Sequence, residues 1–284
     1  MLSAGQTKVK ARSALTSSYL FSLSDRDNSY PGPLERLTEQ TLAAAQNRRD
    51  CDYLIDKCYP SRPLIISFNY FTQHEYDFFG RVRKLETRVG APFNRIMLRD
   101  PQHAWYQRGV AGLGDSVDEV AAQLAHFIKA IGPSEVITVG QSMGAYAAVL
   151  FGMLLQVDRV LSFGSLPHLH SAQLESMGDV RWLPVFKLLE ETPPKRCYDD
   201  LIALARSRER LPELHMVAGT NPDGSSGLPN LDALHTEQFA ALPNVRTYLY
   251  PEARHEVSLW LVEQGLMDGL VGQILAPASP RAPI

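Results

Sequence analysis

From Pro63 onward, the sequence alternates short apolar runs with longer segments of helix-forming residues. The apolar runs are continuous, as expected for strands that are buried on both faces of a sheet. They are PLIISFNY, NRIMLRD, SEVITVG, VDRVLSFGSL, ELHMVAGT and NVRTYLY. Strands that alternate with helices are typical of a mostly parallel central sheet with helices on both faces. The sequence therefore predicts an α/β fold.

The segments between these runs predict helices, and several have marked ends. In DSVDEVAAQLAHFIKAIG, Asp115 and Ser116 are candidate caps, and Gly132 followed by Pro133 is a stop signal. The other predicted helices are HEYDFFGRVRKLETRVG, SMGAYAAVLFGMLL, NLDALHTEQFAAL and the closing helix EVSLWLVEQGLMDGLVGQIL. Ligands of such sheets bind at the carboxyl ends of the strands, so the functional residues are expected there.

One stretch interrupts the alternation. Residues 167–212 contain several prolines, an apolar patch around Trp182 and one predicted helix near residues 198–208. We predict a single domain over residues 31–284, with this stretch as a cap-like insertion at about 167–212. Residues 1–30 are predicted to be a flexible leader, although their Ser/Thr-rich, acid-poor start also fits an organellar transit peptide.

Charge and cysteine content restrict the function classes. A formal net charge of -3 does not favour binding to nucleic acid or to an anionic membrane surface. No apolar run approaches the roughly 20 residues that span a bilayer. The cysteines Cys51, Cys58 and Cys197 are odd in number, which favours free thiols in a reducing compartment, and the spacing of the first two fits one face of a helix. With no secretory signal evident, a cytoplasmic protein is predicted.

The segment VITVGQSMGAYAAVLFG joins a strand-like run to a helix-like run through Gly-Gln-Ser-Met-Gly. Such a turn can raise a serine hydroxyl above the sheet, provided that the residues two before and two after it are very small. Gly140 and Gly144 occupy these positions around Ser142. Because strand and helix flank the pattern as a nucleophile elbow requires, Ser142 is the predicted nucleophile.

A serine nucleophile needs a general base, and in this arrangement the histidine follows the last strand. His255 lies in YLYPEARHEVSLW, between the last predicted strand and the closing helix, and is the predicted base. His103 follows the second strand and is expected near the pocket. His168 and His170 form a His-x-His pair, which is a weak metal signal without a third ligand.

The acid of the triad is expected after the strand ELHMVAG, where two carboxylates qualify. Asp223 is nearer to the strand end, in PDGSSG, which also has the composition of an exposed turn. Asp232 begins a predicted helix, where an aspartate can equally serve as a cap. These residues alone leave both candidates open.

Two backbone N–H groups are needed to bind the oxyanion. The residue after the nucleophile, Met143, supplies one, and the loop after the first central strand supplies the other. In this sequence that loop is SFNYFTQ, so Asn69 or Tyr70 is the second predicted donor. The His-Gly pair common in this loop is replaced by Phe68-Asn69.

Together, the strand with its oxyanion loop, the stretch VGQSMGAYAA, a late Asp and PEARHEV resemble the α/β-hydrolase superfamily over residues 62–275. Within it, FNYF, RDPQHAWYQRGVAGLGDS, GQSMGAYAAVLFG and VDRVLSFGSL are similar to a bacterial subgroup associated with polysaccharide or glycan biosynthesis. The subgroup places its acid in an Asp-x-x-His stretch, which DALH (Asp232–His235) matches. The resemblance therefore implies an α/β-hydrolase fold and favours Asp232 over Asp223.

The function predicted from these residues is a serine esterase or thioesterase with a small-molecule acyl substrate. Ser142, His255 and Asp232 would form the triad, and Met143 with Tyr70 or Asn69 the oxyanion hole. This chemistry requires no metal or organic cofactor. Two alternatives stay open: acyl transfer to a sugar or other alcohol, and a non-catalytic scaffold that has kept the fold.

Overall fold

The computed structural model of the protein describes residues 51–56, 59, 61–71, 76, 82, 84, 86, 87, 90–194, 196–221 and 230–275. The predicted leader, Cys58, the candidate acid Asp223 and the tail from residue 276 lie outside the described residues. So does most of the predicted helix at 74–90.

The central feature is a seven-stranded sheet in the order β1-β3-β2-β4-β5-β6-β7. Strands β2 to β7 run parallel to one another, and β1 pairs antiparallel with β3 at one edge. The strands are β1 (Tyr53–Asp56), β2 (Leu64–Phe68), β3 (Asn94–Leu98), β4 (Val136–Gln141), β5 (Arg159–Phe163), β6 (Glu213–Gly219) and β7 (Val245–Tyr250). This confirms the predicted α/β class and the mostly parallel sheet.

Helices cover the sheet, and their bounds follow the chain from β3 onward. They are α1 (Val117–Ile131), α2 (Met143–Leu155), α3 (Ser171–Met177), α4 (Leu183–Glu191), α5 (Leu201–Arg206), α6 (Asp232–Ala240), α7 (Val257–Glu263) and α8 (Met267–Leu275). Helix α1 has both predicted ends: the Ser116 side chain accepts a hydrogen bond from the Glu119 N–H, and Gly132 adopts a left-handed conformation.

The core has two parts because strands β1 to β6 are buried on both faces, whereas the edge strand β7 is partly exposed. Leu64 and Ile66 of β2 pack into the larger cluster with α1 and α2, while Ile65 packs into the smaller one with α7 and α8. Helix α2 is buried from Met143 to Met153, so it has no polar face. Its burial fixes the orientation of the turn that precedes it.

Strand β1 was not anticipated from the sequence. It occupies part of the region that the Cys51–Cys58 spacing assigned to a helix, and that interpretation is wrong. The acidic residues of this segment obscured the strand, because acids are rare in buried strands unless they are paired. Asp56 pairs with Arg95 and Asp52 with Arg99, all buried in the structure.

The closing helix is two helices rather than one. It ends after Glu263 and resumes at Met267, with Gly265 at φ 69° between the two parts. A left-handed glycine ends a helix at low steric cost, and the apolar periodicity on both sides hid this break.

The stretch between β5 and β6 contains helices α3, α4 and α5, whereas the sequence predicted only a helix near residues 198–208. Pro184 lies in the first turn of α4, where a proline costs no helix hydrogen bond. Helices α3 and α4 were therefore not predicted from this proline-rich sequence. Among the described residues, no helix has the length and apolarity needed to cross a membrane.

Candidate active site

Ser142 lies on the turn between β4 and α2 with φ 55° and ψ -119°, a backbone conformation that residues other than glycine rarely adopt. Its N–H donates to the Phe163 carbonyl oxygen at 2.8 Å, and its carbonyl accepts from the Tyr146 N–H at 3.1 Å. These bonds to β5 and α2 hold the strained backbone in place. The turn places the Ser142 hydroxyl at the carboxyl ends of the parallel strands.

The two glycines around Ser142 are required by space. A Cβ at Gly140 would lie 2.0 Å from the carbonyl oxygen of Gly144. A Cβ at Gly144 would lie 2.2 Å from the carbonyl oxygen of Phe68, at the end of β2. Because the obstructing atoms are backbone, neither position tolerates a side chain without moving the turn.

His255 lies on the loop between β7 and α7 and contacts Ser142. Its Nε2 is 2.8 Å from Ser142 Oγ, and its Nδ1 is 2.7 Å from Asp232 Oδ2. Since an ionised carboxylate only accepts, Nδ1 carries the proton and Nε2 is left to accept from the serine hydroxyl. The structure thus brings Ser142, His255 and Asp232 into one hydrogen-bonded chain.

Asp232 is the first residue of α6 and is 1% exposed. Asn230 orients it: the Asn230 side-chain oxygen accepts from the Asp232 N–H at 3.1 Å, and its amide donates to the Gly219 carbonyl at 3.0 Å. The end of β6 therefore positions the carboxylate beside His255.

The charges of Asp232 and His255 stabilise each other. Burial acts to raise the pKa of the Asp232 carboxyl, but the charge and hydrogen bond of His255, helped by Arg181, hold that pKa below its usual value. Burial acts to lower the pKa of His255, yet the Asp232 carboxylate outweighs burial and raises it. The pair can therefore stabilise an imidazolium at His255.

Gln141, the residue before Ser142, ties the His255 loop to the elbow. Its side-chain amide donates to the His255 carbonyl oxygen at 2.8 Å, and its side-chain oxygen accepts from the Ser258 N–H at 3.1 Å. Gln141 is buried, so both bonds are shielded from water. These two contacts were not predicted from the sequence.

Of the candidate oxyanion donors, Met143 begins α2, where the first N–H groups have no acceptor within the helix. The Asn69 N–H instead donates to the Leu98 carbonyl oxygen at 2.9 Å and is committed to the sheet. Tyr70, the next residue, follows on the same loop. The Tyr106 hydroxyl lies 3.1 Å from the Asn69 carbonyl oxygen and supports this loop.

Aromatic side chains from the insertion and from two loops pack beside His255. This aromatic cluster consists of Phe71, His103, Trp105, Trp182 and Phe186. The ring centres of Phe71 and His103 are 3.8 Å apart, and that of Trp182 is 6.2 Å from His255. Ser142 is only 8% exposed, and Trp182 brings the insertion next to the histidine that contacts it.

His168 and His170 contact two neighbouring carboxylates. His168 Nε2 lies 3.0 Å from the Gln238 side-chain oxygen and its Nδ1 lies 3.3 Å from Asp200, while His170 lies 3.5 Å from Asp199. Within the described part of the chain, no three His, Cys, Asp or Glu side chains are grouped as a metal site would require.

A second group of charged residues contacts Asp232 from the insertion, and sequence reasoning missed it. Arg181 donates to the Asp232 carboxylate and to Asp179, which in turn contacts His235. The Asp-x-x-His spacing of α6 was the available signal, because it places Asp232 and His235 one turn apart on one face. Nothing in the sequence around Asp179 and Arg181 indicated their partners.

Searches with protein-family models and among curated proteins give no match to this chain. Solved structures do match. The capsule O-acetyltransferase of Neisseria meningitidis serogroup A aligns with a TM-score of 0.53 at 11% identity, over 89% of this chain and 98% of that one. An S-formylglutathione hydrolase from Staphylococcus aureus aligns with a TM-score of 0.51 at 14% identity, over 76% and 84%.

A glycosylation-associated protein complex from Streptococcus agalactiae aligns with a TM-score of 0.50 at 16% identity, over 78% of this chain and 44% of that one. At such identities the similarity is one of fold. It agrees with the sheet order and with the strand–serine–helix turn at Ser142. The chain has the fold of the α/β-hydrolase superfamily.

Proposed function

We propose that the protein is a serine hydrolase that cleaves carboxylic esters or thioesters through an acyl-enzyme. The observation that carries this proposal is the hydrogen-bonded chain from Ser142 Oγ through His255 to the Asp232 carboxylate. A serine on a strained turn, a histidine in the required tautomer and a buried carboxylate are the elements of nucleophilic acyl transfer.

In the first half-reaction, His255 Nε2 takes the proton of Ser142 as Oγ attacks the acyl carbon. The tetrahedral oxyanion collapses, the bond to the leaving group breaks, and His255 returns the proton to the departing alcohol or thiol. In the second half-reaction, His255 deprotonates a water molecule that attacks the acyl-enzyme. Ser142 leaves with the proton from His255, and the carboxylic acid is released. Asp232 stays ionised throughout.

The proposed oxyanion donors are the backbone N–H groups of Met143 and Tyr70. The start of α2 favours negative charge beside Met143. The Asn69 N–H already donates to the Leu98 carbonyl oxygen, which argues against Asn69 as the second donor. The insertion is proposed to act as a cap, with the aromatic cluster forming an apolar wall for the acyl group. The cytoplasmic location and the limits of the domain stay predictions.

A second candidate is transfer of the acyl group to a sugar or other alcohol. It is favoured by the coverage of Ser142, which is 8% exposed, because shielding an acyl-enzyme from water lets an acceptor compete for it. The matched structure from Neisseria meningitidis is an O-acetyltransferase, so the fold accommodates that reaction. Both candidates share the first half-reaction.

Labelling with a fluorophosphonate probe tests the shared step. We expect the wild type to be labelled, Ser142→Ala to show no labelling, and His255→Ala to be labelled at least about 100-fold more slowly. Ser176→Ala, at an exposed serine of the insertion, is the control and should match the wild type. A folded wild type that resists labelling would contradict the proposal and support the scaffold alternative.

Nitrophenyl esters from acetate to laurate then separate hydrolysis from transfer. Hydrolysis yields one free acid per nitrophenol, with or without an added alcohol acceptor. Transfer yields a new ester, detected by mass spectrometry, and faster nitrophenol release when the acceptor is present and deacylation is limiting. A preference for longer chains would support the apolar wall.

A further inference from the structure

The two oxygens of the Asp232 carboxylate have different partners. Oδ2 accepts from His255 Nδ1 at 2.7 Å, and Oδ1 accepts from Arg181 Nη1 at 3.0 Å. Arg181 belongs to the insertion, between α3 and α4, whereas Asp232 begins α6. Asp232, which contacts His255, is therefore also bound by the insertion.

Arg181 is itself held in a fixed orientation. Its Nε donates to Asp179 Oδ1 at 2.9 Å and its Nη2 to Asp179 Oδ2 at 2.6 Å, a two-point contact that fixes the guanidinium plane. His235 Nε2 lies 2.9 Å from the same Asp179 Oδ2. Asp179, Asp232 and His235 are all at most 2% exposed.

The four residues form two matched pairs. Asp179 and Arg181 come from one short turn of the insertion, and Asp232 and His235 lie one helical turn apart on α6. Each residue of one pair contacts a residue of the other. These two contacts hold the insertion against α6 in one position, with the Arg181 guanidinium against the Asp232 carboxylate.

We propose that Arg181 is a positioning residue that couples the insertion to the Asp232–His255 pair. The inference rests on the proposed function, since it concerns the same histidine. In the structure, the Asp232 carboxylate contacts both the Arg181 cation and His255. Without the Arg181 cation, the carboxylate would interact with His255 alone.

The charged groups facing His255 give the sign of the effect. Asp232 and Glu256 favour its protonated form, and Arg181 opposes it. Asp179 and His235 lie behind Arg181, on the side of α6. Removing the Arg181 cation therefore raises the pKa of His255, which leaves less neutral imidazole to act as a base at acidic pH.

The pH dependence of fluorophosphonate labelling tests this role. For Arg181→Met, we expect the ratio of the rate at pH 8 to the rate at pH 6 to rise about threefold or more above the wild-type ratio. Arg181→Lys keeps a cation and should restore most of the wild-type ratio. Arg196→Met is the control, because Arg196 belongs to the same insertion and forms an exposed pair with Asp118.

Arg181→Met alone leaves the buried Asp179 charge without its main partner, which by itself could destabilise the fold. A double variant, Arg181→Met with Asp179→Asn, removes that unpaired charge and serves as the control for misfolding. This double variant should also show the raised ratio. An unchanged ratio in both variants lacking Arg181, with labelling merely slower at every pH, would mean that Arg181 only supports the fold and would overturn the proposal.

An NMR titration of His255 separates this inference from the proposed function. The His255 imidazole should titrate at higher pH in both variants that lack Arg181, whether or not Ser142 reacts. A wild type that is not labelled would refute the proposed enzyme. A titration unaltered by loss of Arg181 would refute the coupling even in a labelled enzyme.

Discussion

At the scale of single residues, the geometry around Ser142 depends on two neighbouring positions that carry no side chain. Gly140 lets β4 approach the start of α2 closely, and Gly144 lets the start of α2 approach the end of β2. Gln141, between Gly140 and Ser142, holds the His255 loop through its side chain. A five-residue stretch thus positions both the serine and the loop of its base.

Gly144→Ala should disrupt the elbow. The new Cβ would lie 2.2 Å from the Phe68 carbonyl oxygen, so β2 or α2 must shift. We expect the free energy of unfolding to fall by about 1–3 kcal/mol and fluorophosphonate labelling to be lost, as is usual when a packed site is overfilled. Urea unfolding and labelling measure the two effects.

Gly272→Ala is the matched control for that variant. Gly272 lies in α8, and a Cβ there meets nothing within 4 Å. The substitution should leave labelling unchanged and increase stability by up to about 1 kcal/mol, because alanine favours a helix. If Gly144→Ala kept its labelling and stability as this control should, the close approach of Gly144 to the Phe68 carbonyl oxygen would be refuted.

Gln141→Leu should slow the reaction while Ser142, His255 and Asp232 all remain. It removes the bonds to the His255 carbonyl and the Ser258 N–H, which frees the loop of the base. We expect labelling to slow by about 10- to 100-fold, since small displacements of catalytic groups have effects of this size.

Thr138→Val serves as the comparison on the same strand. It removes a buried hydrogen bond to the Ala148 carbonyl, 2.8 Å in length, away from the elbow. Its labelling rate should equal that of the wild type. Equal rates for Gln141→Leu as well would show that the amide does not position His255.

At the scale of helices, strands and loops, the turn after β3 depends on one buried carboxylate. Asp100 accepts hydrogen bonds from the N–H groups of Gln102, Ala104 and Tyr106, and it is 3% exposed. It stabilises a turn in which His103, Trp105 and Tyr106 have positive φ. This turn contributes His103 and Trp105 to the aromatic cluster.

Asp100 should make stability depend on pH. Burial raises its pKa from 3.8 to about 6, although the backbone N–H groups oppose the shift. Between these values the folded state holds a proton that the unfolded state has lost. The stabilisation from this group is therefore complete below pH 3.8 and lost as pH rises through about 6.

The measurement compares wild type with Asp100→Asn in urea at several pH values. Between pH 4 and pH 7, the free energy of unfolding of the wild type should fall by about 2 kcal/mol relative to that of Asp100→Asn. The comparison cancels the other carboxyls, such as Asp232, whose pKa is lowered. A constant difference would mean that Asp100 titrates normally.

The sequence predicted the elements that obey local rules. Strands β2 to β7 are apolar runs, and α1 has a cap at Ser116 and a stop at Gly132. It did not predict β1, because Asp56 of β1 is matched by Arg95 of β3, and Asp52 just before β1 by Arg99 just after β3. It also did not predict the partner of Asp232 in the insertion, because Arg181 lies 51 residues away and its contact depends on tertiary packing.

At the scale of the whole molecule, the insertion and the sheet share one core. Phe186 and Leu201 of the insertion belong to the same buried cluster as Tyr146 and Phe151 of α2. The Tyr198 backbone joins the two parts: its carbonyl accepts from the Tyr146 hydroxyl, and its N–H donates to the Gln107 side chain at 2.8 Å. Such shared burial favours cooperative unfolding.

We therefore expect the insertion and the sheet to unfold in one transition. In a Trp260→Phe background, fluorescence reports on Trp105 and Trp182, both in the aromatic cluster, while far-UV circular dichroism reports on the whole chain. The two signals should give the same urea midpoint. Gln107→Leu leaves the Tyr198 N–H without its acceptor and should lower both midpoints together, by about 1–3 kcal/mol in free energy. If only the fluorescence midpoint moved, the aromatic cluster would unfold separately from the rest of the chain, which would contradict a single transition.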